Sequence, residues 1–166
     1  YGEAVPTPDN SHTWVCDEYA DWRNTKDGPQ ERVVYATELL TGKGSKEDPY
    51  LIKTADDWNK FRTRTNHDTT KNEYYRLEND ITVTSTVGTA EKPFEGVFDG
   101  NGKTLTVNYS NNDDEHTAPF AYAKDATIIN LTVAGEIQGT GAKASGILGE
   151  NEGSTLIDHC NVMATI

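Results

Sequence analysis

Apolar and polar positions follow two different periods along the chain. In "TADDWNKF", residues 54 to 61, Ala55, Trp58 and Phe61 recur at helical spacing, so a short helix has one apolar face to bury. Thr54 is placed as its N-cap, and Asp56 and Asp57 put acid in the first turn, where the helix dipole favours it. Upstream, Pro49 disfavours helix at the residue before it, and Tyr50-Leu51-Ile52 predicts a short strand. After His67 the period falls to two. Leu105, Val107 and Tyr109 alternate with polar residues, as do Ile129, Leu131 and Val133; Ile157, Cys160 and Val162 take the same part in the last such run.

These runs repeat. Setting residues 104 to 107 on residues 130 to 133 takes a shift of 26, and setting Val133 on Val162 takes 29. With Ile129 matched to Ile157, the extra residues near Asp158-His159 read as a one-residue bulge. The stretch "APFAYAKDATIINLTV" also parallels "SGILGENEGSTLIDHCNV": small residues, a large apolar one (Phe120 or Leu148), a turn, then Thr127-Ile128-Ile129 or Thr155-Leu156-Ile157. Short strands separated by turns, with no helices between them, predict a solenoid that winds one coil per repeat. A β-sandwich would alternate too, but has no reason to repeat its side-chain order at this interval. The predicted fold is all-β: a parallel β-helix over residues 45–166, opened by a capping strand and helix at 48–65, behind an irregular N-terminal arm over residues 1–44.

That arm mixes Pro, Asp and Asn with Trp14, Tyr19 and Trp22, more aromatics than a linker carries, and "ERVVYATELL" predicts a short strand or helix within it. The Gly42-Lys43-Gly44-Ser45 cluster marks its boundary.

Of the 166 residues only 34% are apolar, and 15 Lys and Arg stand against 27 Asp and Glu, a net charge of −12 with no basic cluster. Nucleic acid and anionic membranes both need a cationic footprint, so neither is an expected partner. No stretch approaches the roughly eighteen apolar residues of a membrane span, so no membrane insertion is expected. A start at Tyr1 without Met suggests a mature form or a piece of something longer, and an acidic, Met-poor chain suits export. Cys16 and Cys160 are either a disulfide closing a very long loop, which would suit an extracellular home, or two separate thiols with Cys160 a small buried hydrophobe.

On "GSKEDPYLIKTADDWNKF", "YYRLENDITVT", "FEGVFDGNGKTLTV" and "SGILGENEGSTLIDHCNVMATI", the region from about Asp48 to Ile166 resembles the GLUG-motif and related parallel β-helix domains of bacterial cell-surface proteins. The resemblance implies a right-handed coil, a secreted or cell-surface location, and a role as adhesin or spacer, with no catalytic residue and no cofactor carried over. Ile147-Leu148 departs conservatively from the commoner apolar pair of the naming motif. The stop at Ile166, inside a strand, has three readings: a piece of a longer protein, an end covered by another subunit in a filament, or an end covered by the N-terminal arm. The expected function is a non-enzymatic structural or adhesive module, its partners being protein at the open C-terminal end or a surface glycan. The alternative is a carbohydrate-active enzyme or glycan-binding module on the same scaffold.

Candidate chemistry is sparse. Glycoside hydrolysis needs paired carboxylates and uronate lyases need acids with a base, but the acids here sit beside Gly or Asn in turns, and none stacks at matching repeat positions. In "NNDDEH", Asp113, Asp114 and His116 form the best candidate cation or ligand loop; the plainer reading is an exposed insertion. His159 and Cys160 are adjacent on a strand and point to opposite faces, which argues against a dyad. Trp14, Trp22, Tyr19, Tyr35, Tyr74 and Tyr75 suit either a sugar-stacking platform or anchors for the arm. Asp99-Gly100-Asn101-Gly102 reads as a turn demanding positive φ, because no further calcium-loop acids and no helix follow it.

Overall fold

The computed structural model describes residues 40–112, 116–139 and 143–166, together with four short backbone segments nearer the N-terminus. Those four are β1 (His12–Val15), β2 (Asn24–Thr25), β3 (Gly28–Pro29) and β4 (Tyr35–Glu38); β1 pairs antiparallel with β4, and β2 with β3. "ERVVYATELL" thus contributes a strand at Tyr35–Glu38. They belong to one compact unit, Tyr1–Leu39, and the rest of the chain, Leu40–Ile166, forms a second. Trp14, Tyr19, Trp22 and Tyr35 lie outside the residues whose side chains are described.

The second unit is built from strands, and its one described helix forms where the periodicity places it. Thr54 Oγ1 accepts from the Asp57 N–H at 3.2 Å while Asp57 Oδ2 accepts from the Thr54 N–H at 3.2 Å, a reciprocal capping box that opens α1 (Ala55–His67). Trp58 and Phe61 on its inner face are fully buried. Phe61 meets Trp58, Tyr75, Phe94, Phe98 and Phe120 with ring centroids 4.4–6.3 Å apart. Complete burial of such a side chain stabilises by about 1.5–3 kcal/mol, and favourable ring geometry adds to that.

The strands are β5 (Tyr50–Ile52), β6 (Tyr74–Leu77), β7 (Ile81–Val83), β8 (Val97–Asp99), β9 (Thr104–Asn112), β10 (His116–Thr117), β11 (Phe120–Lys124), β12 (Thr127–Ile129), β13 (Thr132–Gly139), β14 (Lys143–Ala144), β15 (Leu148–Glu152), β16 (Leu156–Asp158) and β17 (Asn161–Val162). All of their mutual pairings are parallel. One sheet runs β5-β6-β8-β12-β16 and a second β7-β9-β13-β17; β11 pairs with β15, and β10 with β14. Single bridges join Val87 to Phe120 and Phe94 to Ala123, placing residues 87–94 beside β11. The class is therefore all-β with mainly parallel sheets.

Register stacks like on like. Tyr75, Phe98 and Ile128 form one buried column, and Ile81, Leu105 and Val133 another. It also corrects two matches drawn from the sequence. Leu105 pairs with Val133, a shift of 28 rather than 26, and Ile157 pairs with Ile128 rather than Ile129. No bulge at Asp158-His159 is then needed, since 128 to 157 and 133 to 162 are both shifts of 29. The displaced residue lies earlier: Lys124 pairs with Glu152 at a shift of 28, so the added position falls between Glu152 and Leu156.

The corners explain the slip. Asn101, Asn130 and His159 each follow a strand of the first sheet and adopt φ of 53°, 55° and 51°. A left-handed residue turns the chain, so in/out alternation does not run through it. Ile128 and Leu131 are both buried, with Asn130 exposed between them. At Asp99-Gly100-Asn101-Gly102, Asp99 Oδ1 accepts from the Asn101 N–H at 2.8 Å and from Asn130 Nδ2 at 3.0 Å. That carboxylate is spent on the turn and on the next strand's corner.

Candidate functional site

Of the three residues singled out for a ligand loop, Asp113 and Asp114 lie outside the described residues, and His116 is drawn inward. On β10 it is only 1% exposed, and its Nε2 lies 2.5 Å from Glu150 Oε2 on β15. Its ring also lies 4.6 Å from that of Tyr122 on β11. Among the described residues no group of three His, Cys, Asp or Glu is placed to hold a metal ion.

The pair is embedded in charge. Lys143 Nζ lies 3.2 Å from the same Glu150 oxygen. Hydrogen bonding from His116, then from Lys143, holds the Glu150 carboxyl below the usual carboxylate range. A carboxylate only accepts, so Nε2 is the nitrogen that carries a proton toward it, and Nδ1 is left to face elsewhere. Nδ1 is buried and has no hydrogen-bond partner.

His116 lines a cleft of about 330 Å³ whose walls come from four segments. The second half of α1 contributes Arg62 and Asn66, the segment following β7 contributes Thr86, Gly88, Thr89, Ala90 and Glu91, and β10 and β11 contribute His116, Ala121 and Tyr122. The wall is fixed by backbone acceptors. Arg62 Nε donates to the Thr86 carbonyl at 3.1 Å, and Trp58 Nε1 and the Tyr109 hydroxyl both donate to the Ser85 carbonyl. Gly88 has φ of 87°, and a Cβ there would fall 2.3 Å from the Tyr122 carbonyl oxygen, so the close approach of these segments requires glycine. Asn66 Oδ1 is a second buried polar atom in this wall without a partner.

Other groups weighed from sequence make packing, hydrogen-bonding and ion-pair contacts elsewhere in the fold. Cys160 is half-buried with a free thiol that donates to the Asp158 carbonyl at 3.3 Å, and burial pushes its pKa up, against thiolate formation. Cys16 lies outside the described residues. His159 is exposed and pairs through Nδ1 with Asp158 at 2.8 Å. Tyr75 is buried against Phe61, and its hydroxyl donates to Glu73 at 2.5 Å; Glu73 also binds Arg64, and Arg64 lies over the Tyr50 ring. Tyr75 therefore belongs to the core beneath α1.

A different surface lies at the other edge of the sheets. Leu156, Ile157, Val162, Met163 and Ile166 on and beside β16 and β17 are 42–65% exposed, and neither strand has a described partner on its outer side.

Comparison with family models, curated proteins and solved structures returns no match.

The cleft escaped the sequence reading because Arg62, Asn66, Glu91, His116 and Glu150 share no motif. The one available signal was a lone His closing a polar run.

Proposed function

We propose that the chain is a right-handed parallel β-helix module of the GLUG-like type, secreted or displayed on the bacterial cell surface. Its work is structural or adhesive rather than catalytic, and it needs no cofactor. The observation that carries this reading is the parallel register: strands of each sheet pair with strands 23–30 positions further along, as successive coils of a solenoid would. Support also comes from the contrast between the two edges. The aromatic cluster of α1 covers the interior beside β5 and β6, whereas the β16–β17 edge offers apolar side chains and free backbone groups to further coils or to a second copy stacking into a filament.

The test is electron microscopy and sedimentation of the chain beside a variant with Ile157→Lys and Val162→Lys. Edge pairing predicts rods or oligomers that the double variant reduces to monomers. Identical monomers from both proteins would overturn assembly through this edge, and failure of surface-directed labelling to reach the protein on intact producing cells would overturn display.

The glycan-binding alternative draws support from one observation, the polar cleft beside His116.

A further inference from the structure

The outer edge of β16 and β17 presents peptide groups in a fixed order, and the coil before it shows what fits them. In a parallel ladder each residue gives both its backbone groups to one side, and successive residues alternate. On β16 the Leu156 N–H donates to the Ala126 carbonyl at 2.9 Å and the Asp158 carbonyl accepts from the Asn130 N–H at 3.1 Å, so the backbone groups of Ile157 between them face outward. On β17 the Asn161 and Met163 N–H groups donate to the Leu131 and Val133 carbonyls, each at 2.8 Å, and Val162 faces outward in the same way. The side chains of Ile157 and Val162 are 42% and 43% exposed beside these groups. Donors and acceptors alternating at this spacing, with apolar side chains between, match an extended polypeptide.

The preceding footing names its side chains. Ile128 sits over Phe98, Leu131 lies against Gly100, Val133 sits over Leu105, and the Asn130 amide Nδ2 donates to Asp99 Oδ1 at 3.0 Å. The free edge repeats that footing one coil on. Ile157 stands in the column of Phe98, Val162 in that of Leu105, and Asp158 in that of Asp99. Asp158 is half-exposed and spends Oδ2 on His159, which leaves Oδ1 to accept a corner amide. A fitting segment therefore carries an apolar residue over Ile157, Asn two positions on, and apolar residues three and five positions on, the order found at residues 128–133. The opposite end of a second copy does not offer this: the Leu51 N–H is given to the Thr41 carbonyl at 2.8 Å, and α1 packs on both β5 and β7. We infer that the β16–β17 edge binds a coil-forming segment of another polypeptide, in parallel, with the order apolar-x-Asn-apolar-x-apolar. This rests on the module reading above and names the chemistry of what continues it.

The probe is a fluorescent peptide of residues 126–134, ATIINLTVA, flanked by lysines for solubility, titrated by anisotropy against protein that sediments as a monomer. Ordering a short peptide offsets much of the gain, so the expected dissociation constant is on the order of 100 μM. Ile129→Pro in the peptide removes the N–H that would meet the Ile157 carbonyl and should abolish binding. Asn130→Ala in the peptide should weaken it roughly two- to tenfold, and the same change should be silent against Asp158→Ala protein, since the two groups form one bond. Hydrogen exchange at the Ile157 and Val162 amides should slow when the peptide is added. A scrambled peptide or the proline variant binding as well as the parent would overturn the inference, as would no binding at about tenfold that concentration. Exchange at Ile157 and Val162 that slows with protein concentration but not with peptide would assign the edge to a second copy and overturn it too. Because the titration is made on monomers, monomeric behaviour alone would remove assembly of copies and leave this inference standing.

Discussion

Replacing Phe61 by Ala asks whether α1 is part of the core or an ornament on it. The side chain is completely buried and touches five aromatic rings, three of which, Tyr75, Phe98 and Phe120, lie on three strands, β6 and β8 of one sheet and β11 of another. Truncating a buried Phe costs about 3–5 kcal/mol, because the transfer energy is lost and the cavity closes only partly. The ring neighbours here are rigid and come from separate strands, which places the expected cost in the upper half of that range. Against a total stability of about 5–15 kcal/mol this is a large fraction. With a urea slope of about 2 kcal/mol per molar, the midpoint should fall by roughly 2 M. Phe61→Leu keeps most of the apolar volume and should lose under about 1.5 kcal/mol. Urea unfolding is to be followed by Trp fluorescence and by far-UV circular dichroism. If α1 is integral, both probes move together. A midpoint shift below about 0.5 M, or loss of the Trp58 signal while the strand signal keeps its midpoint, would refute the packing argument.

Two further outcomes follow from geometry and titration. At Gly100 an added Cβ would sit 2.5 Å from the Leu131 Cα and 2.6 Å from the Asn130 carbonyl oxygen, whereas at Gly102 (φ 69°) nothing lies within 4 Å. Gly100→Ala should therefore cost about 1–3 kcal/mol through backbone displacement, and Gly102→Ala only about 1 kcal/mol for the left-handed conformation; the reverse order in denaturant titrations would contradict the corner's packing. Burial holds the Tyr75 and Tyr109 hydroxyls protonated well above the usual phenol range. Unfolded phenols release their protons from about pH 10 upward while the folded ones retain them, so the stability due to this difference is present below pH 10 and declines above it. Urea midpoints measured from pH 8 to 11 should fall at the alkaline end, and less steeply in Tyr75→Phe; a flat profile would count against the burial of both groups.

The helix was legible because its signals are local. Thr54, Asp57, Trp58 and Phe61 lie within eight positions and agree on cap, dipole and buried face, and the structure uses each in that sense. The strands were legible as strands, but their register was not, since pairing joins segments 23–30 positions apart and composition tolerates a slip. Thr104-Leu105-Thr106-Val107 looks most like Asn130-Leu131-Thr132-Val133, yet Leu131 belongs to a corner and lies over Gly100, leaving Val133 opposite Leu105. Two more residues separate Asp99 from Thr104 than separate Ile129 from Thr132, and that difference sets the true shift. Reading a left-handed Asn as the end of an alternating run would have placed Ile128, not Ile129, inside.

The cleft follows a different logic. His116 was noticed as the last member of an acidic, polar run, where a histidine ordinarily suggests an exposed ligand. Its burial depends on the Gly149 backbone packing against it from β15, and its orientation on a carboxylate 34 positions away. Neither is encoded near His116 itself. What the local sequence does encode is the absence of bulk around the site. Gly149 brings its backbone against the imidazole, where a Cβ would lie 2.7 Å from the His116 Cβ, and Gly88 lets the opposite wall approach β11. Two glycines from different coils thus hold space for a ring and a cavity that neither segment forms alone. The same Cβ would also fall 2.7 Å from the Ala121 carbonyl oxygen on β11. Gly149→Ala should therefore disturb the His116–Glu150 pair and the β11–β15 ladder together, shifting the His116 ring resonances and lowering stability by about 1–3 kcal/mol in urea titrations; an unchanged midpoint would contradict this close approach.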